Sequence, residues 1–351
     1  MKTFAAKIPA IDAAGLHRFL AEKGLLDKTR SVAREGGFVF FPVNKMGAVA
    51  KKNAEKKFGA KFVRKKLAAR GKPHRSLKEY LSGRLSKKEF SLLVSSFDSL
   101  GDIAIIEIPK GLEKKEKIIA QAILELNRNF RTVCKKTAAH SGEFRVEPVK
   151  VVAGKKSLTA AYREAGCVFK ISLGKVFFSP RLSTERLRIA GQIKKGEVVG
   201  ALFAGVGPFP IVFAKNSPME KAFAVELNPE AVKNLKENLR QNKVEGKIEV
   251  LEGDVRKIVP QKLAGLCDRV VMPLPKGGEH FLREAIGCIK PLGGIVHFYD
   301  FVDKKDMFSK TIGKIKSAAR ECGRAATILG KKKVRDFSPQ TVQVVIDFLV
   351  K

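Results

Sequence analysis

Residues 198–226 read VVGALFAGVGPFPIVFAKNSPMEKAFAVE, and this stretch decides the fold. Its opening apolar run reads as a buried strand ending in Phe203-Ala204-Gly205-Val206-Gly207-Pro208, where two glycines permit positive φ and close backbone approach. The run Phe209 to Ala214 then starts a helix, because Pro208 and Pro210 fit only in a first turn. A second strand ends in Glu226. Asn228-Pro229 supplies an N-cap and an N1 proline, and Ala231, Val232, Leu235 and Leu239 give the following helix one apolar face. A third run, KIEVLEGDV, carries Asp254 at its end.

Strand, glycine turn, helix, strand, acid, helix, strand, acid is the ligand-binding half of a doubly wound α/β sheet. Glu226 follows the glycine turn by about twenty residues, where a carboxylate accepts the hydroxyls of a ribose. The third glycine of a dinucleotide fingerprint would fall at Pro210, and a Walker lysine is missing. What remains is a nucleoside site without a phosphate cradle, which suits S-adenosylmethionine. Purely structural glycines and acids are the alternative. Three strand ends bearing the expected groups in register weigh against it.

The chain has 351 residues, long enough for two or three domains, and its 44% hydrophobic content allows proper cores. Lys+Arg number 69 against 35 Asp+Glu, a formal charge of +34, and the usual partner of such a field is a polyanion such as RNA or DNA. No apolar run is long enough to cross a membrane, and the opening residues do not read as a signal peptide. Five scattered cysteines without a C-x-x-C imply reduced thiols and a cytoplasmic location, with no metal site.

Four regions are expected. Residues 1–48 form a small N-terminal α/β module, with strands over Thr3 to Ile8 and Phe38 to Val43 around a helix bearing Leu16, Phe19 and Leu20. Residues 49–75 read as a basic linker and amphipathic helix, with Phe58, Phe62, Val63 and Leu67 on one face and phosphate-contacting Lys65, Lys66 and Arg70. Residues 76–165 read as a mixed α/β RNA-binding domain containing a strand pair, Val149 to Ala153 with Thr159 to Arg163. Residues 166–351 hold the doubly wound domain, closed by a last strand pair, Ala325 to Leu329 and Val342 to Phe348.

Several segments together resemble one family, the archaeal and eukaryotic type of tRNA (guanine-N1)-methyltransferase acting at position 37 beside the anticodon. They are SFDSLGDIAIIEIP (from Ser96), SGEFRVEP (from Ser141), KVFFSPRLSTERLRI (from Lys175), LFAGVGPF (from Leu202), VELNPEAVKNLKENLRQN (from Val225), DRVVMPLPKGGEHFL (from Asp268), GGIVHFY (from Gly293) and VRDFSP (from Val334). The resemblance covers the chain from about residue 90 onward and implies a class I, Rossmann-like methyltransferase domain, S-adenosylmethionine as cofactor and tRNA as substrate. It implies Glu185 as the base that removes the N1 proton and Arg145 as the donor that holds the charge developing on O6. It also implies Arg186, Phe203, Gly205, Gly207, Glu226, Leu227, Asp254, Val255 and Pro273 around the cofactor, and Arg181 on the tRNA. Without the family, Glu185 reads as an acid at a helix N-terminus.

Two departures stand out. Pro273 replaces an Asn found in many relatives, leaving only backbone carbonyls from Met272 to Leu274 to serve there, and Gly200-Ala201 stands where an acid often ends the first strand. Wyosine-pathway chemistry on the same fold, or a catalytically degenerate tRNA-binding protein, are the competing expectations. A monomer is expected in each case.

Overall fold

The computed structural model describes residues 3–69, 76–138, 144 and 146–351. The chain divides into two compact units, Met1–Tyr80 and Leu81–Lys351.

In the first unit β1 (Thr3–Pro9), α1 (Ala13–Glu22), β2 (Ala33–Glu35), β3 (Phe38–Pro42), α2 (Ala48–Phe58) and β4 (Lys61–Lys65) build a sheet of order β2-β3-β1-β4. This corrects the expected helix through the basic stretch. Gly59, at φ +65°, stops α2 after Phe58, and Lys61-Phe62-Val63-Arg64-Lys65 then pairs antiparallel with β1. The period is two: Phe62 packs against the cluster of Ala6, Leu16 and Val39, while Val63 packs with Ala5, Phe40 and Leu67 on the other side. The segment expected as a linker thus supplies an edge strand.

The second unit opens with α3 (Leu77–Leu81), which begins in the first, and α4 (Lys87–Leu92). Next come β5 (Asp98–Leu100), β6 (Ile103–Ile106), α5 (Glu116–Leu126), β7 (Thr132–Lys136) and β8 (Val149–Gly154), whose strands form a sheet in chain order. β8 pairs with β7, whereas β9 (Thr159–Glu164) pairs with β10 (Cys167–Ser172). The expected pairing of β8 with β9 is therefore corrected; the boundary placed at 165/166 falls in the turn of the β9–β10 hairpin. One apolar cluster runs from Leu100, Ile103 and Cys134 through Ala160 and Phe169 to Val199 and Leu235, so both sides of that boundary share a core.

The remaining elements are α6 (Ser183–Ala190), β11 (Val198–Leu202), α7 (Pro208–Asn216), β12 (Lys221–Glu226), α8 (Pro229–Asn242), β13 (Ile248–Glu252), α9 (Val255–Ile258), β14 (Arg269–Met272), α10 (Leu282–Gly287), β15 (Gly294–Asp303), α11 (Ser309–Glu321), β16 (Ala326–Asp336) and β17 (Thr341–Val350). Their seven-stranded sheet has the order β13-β12-β11-β14-β15-β17-β16, with β17 antiparallel to its neighbours. The order reverses between β11 and β14, so the crevice for a ligand opens at the carboxyl ends of those strands. Helix α7 buries every residue from Phe209 to Ala214, and each fully buried Ile, Val or Phe there contributes about 1.5–3 kcal/mol.

The hairpin β9–β10 is tied to α8 by side chains. Asn234, Asn238 and Asn242 are buried, and their Oδ1 atoms accept from the backbone N–H of Ser172 (2.8 Å), Lys170 (2.7 Å) and Val168 (2.9 Å). Four helical residues rise about 6 Å and two strand residues about 6.6 Å, so every fourth helix position meets every second strand position. The amides of Asn238 and Asn242 return donors to the carbonyls of Lys170 (3.1 Å) and Val168 (2.7 Å).

Candidate active site

Parallel register brings the ends of β11, β12, β13 and β14 to one rim. After β11, Phe203 adopts φ +57°, a strained conformation for a bulky residue, with its ring edge-on to Phe281 at 4.9 Å. Gly207 has φ +88°, and a Cβ there would lie 2.2 Å from Leu235 Cδ1, so only glycine closes this turn against α8. Gly205, at φ +57°, has open space where a side chain would be apart from Phe177 O at 3.8 Å.

Glu226 ends β12 with each oxygen fixed by one backbone donor: Gly205 N–H to Oε2 (2.7 Å) and Asn228 N–H to Oε1 (2.8 Å). Burial pushes its carboxyl above the usual range, and the backbone N–H groups of Asn228 and Gly205 work against that. Each oxygen keeps acceptor capacity, two acceptors for the two hydroxyls of a ribose. Half-buried Leu227 and buried Val255 follow the ends of β12 and β13, and half-buried Pro273 follows β14. The donor set and the glycine turn fit an adenosyl group. Asp254 caps α9 through Arg256 N–H (2.8 Å) and also pairs with the Arg256 guanidinium, which holds its carboxyl below the usual range.

Glu185 lies in the first turn of α6 but caps nothing. It is 3% exposed. Arg188, one turn on, donates to it through Nε (2.9 Å to each oxygen) and Nη2 (2.6 Å to Oε1). Tyr299 Oη donates to Oε1 at 3.0 Å, and Lys332 Nζ stands 3.5 Å from Oε2. Arg188 also donates to Asp347 through Nη1 (2.6 Å) and Nη2 (3.1 Å). Behind Asp347 lies His297, with Nδ1 at 2.7 Å from Oδ1 and Nε2 at 2.8 Å from Arg269 Nη1. A guanidinium only donates, so Nε2 accepts and the Nδ1–H points at Asp347. Burial holds His297 below its ordinary value, keeping the ring neutral. Asp347 is held well below the carboxylate range by His297 and Arg188, although burial opposes this.

The sequence reading missed Arg188, Tyr299, Lys332, His297 and Asp347. For three of them the signal was polarity inside apolar strands: His297 and Tyr299 alternate in GIVHFY, and Asp347 is the one acid in VQVVIDFLV. Arg186, expected around the cofactor, is turned inward. It is 1% exposed, bonded by Nε to Glu164 Oε1 (2.5 Å) and by Nη2 to Glu164 Oε2 (2.6 Å), and flanked by Phe178 and Phe209. Its Nε and Nη2 donors are thus committed inside the protein. Lys65 is also engaged, by Glu35 and over the Phe40 ring at 4.2 Å, whereas Lys66 is exposed. Arg181 is largely exposed and donates to Asp98 at 2.6 Å. Arg145 and Arg70 lie outside the described residues.

A seven-stranded sheet with one antiparallel strand, a glycine turn after its first strand and a buried acid at the end of its second define a class I, S-adenosylmethionine-dependent methyltransferase. Comparison with known proteins narrows the class. The model of the TRM5/TYW2 methyltransferase domain matches residues 160–327, and that of the TYW2 N-terminal domain matches 77–157. The tRNA (guanine(37)-N(1))-methyltransferase Trm5b of Pyrococcus abyssi is 36% identical over 99% of both chains, and its crystal structure matches with a TM-score of 0.72 at 35% identity, again over 99% of both. A structure described as the complex of aTrm5 and tRNALeu matches with a TM-score of 0.69 at 28% identity, covering 99% of this chain and 100% of that one. The tRNA(Phe) (4-demethylwyosine(37)-C(7)) aminocarboxypropyltransferase of Methanocaldococcus jannaschii is 31% identical over 72% of this chain and 96% of its own. The chain belongs to the TRM5/TYW2 methyltransferase family, and S-adenosylmethionine is its cofactor.

Proposed function

We infer that the protein is a tRNA (guanine37-N1)-methyltransferase, which transfers a methyl group to N1 of guanosine 37. The Pyrococcus abyssi relative, matched from end to end, bears this activity in its name. Glu185 carries the chemical side: a buried carboxylate fixed by Arg188 and Tyr299, available at N1 as a base. S-adenosylmethionine, when bound, supplies an electrophilic methyl on a sulfonium. Glu226 takes the ribose hydroxyls, the 203–207 turn sets the depth of binding, and Leu227, Asp254 and Val255 line the adenine side. Glu185 accepts the N1 proton, so the electron pair left on N1 forms the new bond to carbon. Arg145 steadies the negative charge that develops on O6. Exposed Arg181 and Lys66 suit contacts to tRNA phosphates. Free, scattered cysteines and the basic surface suit a cytoplasmic enzyme, and a monomer completes the reading.

The test is methylation of tRNA transcripts carrying G or A at position 37, with mass spectrometry of the nucleoside product. A single-methyl gain on G alone is expected; indifference to the base would overturn the assignment. Pro273 keeps one second reading in view, methylation of a tricyclic wyosine-pathway guanosine, whose heavier product nucleoside the same spectrum distinguishes.

A further inference from the structure

A base that removes a proton from a weakly acidic nitrogen has two conflicting needs. It must be held still, which buried carboxylates achieve through cationic donors, yet an arginine of its own makes a carboxylate a weak base. Around Glu185 the donors divide unevenly. Oε1 receives Arg188 Nη2 (2.6 Å), Arg188 Nε (2.9 Å) and Tyr299 Oη (3.0 Å), which fills it. Among the described residues, Oε2 has only the other half of the forked Nε contact (2.9 Å) and Lys332 at 3.5 Å, whose side chain is 46% exposed. Arg188, meanwhile, spends Nη1 and part of Nη2 on Asp347.

We propose that Arg188, Asp347 and Tyr299 are positioning residues for Glu185: Asp347 divides the charge of Arg188, so that Glu185 is fixed mainly through Oε1 while Oε2, which holds fewer and longer contacts, takes the N1 proton. Among the described residues, the groups facing Glu185 are Arg188 on α6, Tyr299 on β15, Lys332 on β16 and, across Arg188, Asp347 on β17. Asp347 is kept ionised and oriented by His297 Nδ1–H, and His297 by Arg269, which is itself anchored on Glu197 through Nε (2.7 Å) and Nη2 (3.1 Å). Strand register supports the design, because His297 and Asp347 are direct partners across β15 and β17. The proposal rests on the reading of Glu185 as the base.

The experiment is the single-turnover rate of N1 methylation against pH, with saturating S-adenosylmethionine and a G37 transcript, for the full chain and four variants. Glu185 works only when ionised, so the rate rises with pH along an acid limb. Arg188→Gln removes a cation and moves that limb to higher pH by about one unit or more. Tyr299→Phe removes one donor while keeping the ring, which preserves folding, and moves it the same way by less. Asp347→Asn leaves Arg188 wholly to Glu185 and moves the limb to lower pH, with a plateau rate about tenfold lower. Glu185→Gln abolishes the limb. If Glu185→Gln does so but Tyr299→Phe and Asp347→Asn slow the reaction without displacing the limb in opposite directions, the positioning proposal is overturned alone. If Glu185→Gln keeps both rate and limb, the assignment of the base falls, and the positioning proposal with it.

Discussion

Arg186 and Arg188 stand two residues apart on α6, and each makes a close pair with buried carboxylates, yet the pairs are built differently. Arg186 gives a two-pronged contact to one acid, Glu164, between two aromatic rings, with a weaker bond to the Ser179 carbonyl at 3.3 Å. Arg188 serves two acids, Glu185 and Asp347, and the chain of contacts continues through His297 to Arg269 and Glu197. A closed pair stabilises a packing arrangement and nothing else. A shared one leaves an oxygen under-committed, which is what proton transfer needs. Burial alone does not distinguish the two arginines on this helix; the number of acids each one serves does.

The largest expected effect separates the two pairs directly. Glu185→Gln should slow single-turnover methylation by about 10²- to 10⁴-fold with a smaller drop in the urea unfolding midpoint than Glu164→Ala, because Arg188 keeps Asp347 as a partner. Glu164→Ala should do the reverse, because stranding a buried guanidinium costs about 3–5 kcal/mol, visible as a large drop in that midpoint. Loss of methylation without loss of stability in Glu164→Ala would show that the Arg186 pair is not closed.

A smaller effect comes from pH. Burial holds the pKa of His297 in the folded chain below the ordinary imidazole value of about 6.5, so between the two the unfolded chain binds a proton that the folded chain does not. Stability is therefore lost as pH falls through about 6.5 toward the lowered value, at no more than about 1.4 kcal/mol per pH unit. His297→Gln, which retains one donor and one acceptor, should flatten this slope in denaturation curves at pH 7 and pH 5. Glu164→Ala should leave the slope alone, since the Arg186 pair contains no histidine. The smallest effect is expected at Arg181, just before α6, whose exposed pair with Asp98 contributes under about 1 kcal/mol. Arg181→Ala should barely change stability but lower the salt dependence of tRNA binding by about one unit of slope.

How much of this could be read from the chain follows from where each signal lives. The glycine turn, the N1 prolines and Glu226 announce themselves locally, because single residues there have few other conformational or chemical uses. The surroundings of Glu185 do not. Tyr299, Lys332 and Asp347 reach it or its partner across 114, 147 and 159 residues, and only the folded sheet brings them together. Arg188 was within one helical turn and was legible in principle. The basic stretch misled for another reason: its lysines recur so densely that the two-residue alternation of Phe62 and Val63 was hidden, and Gly59, which ends the helix, was the informative residue.

The three asparagines of α8 have a consequence for how the molecule behaves among copies of itself. The outer side of β10 is a row of backbone groups that another polypeptide could pair with, the usual seed of clumping in β proteins. Here a helix, rather than a further strand, occupies that margin, offering amides at Val168, Lys170 and Ser172 in step with the pleat. Three side chains thus do the work of a missing strand. In a crowded cell they leave this margin nothing with which to recruit a stranger.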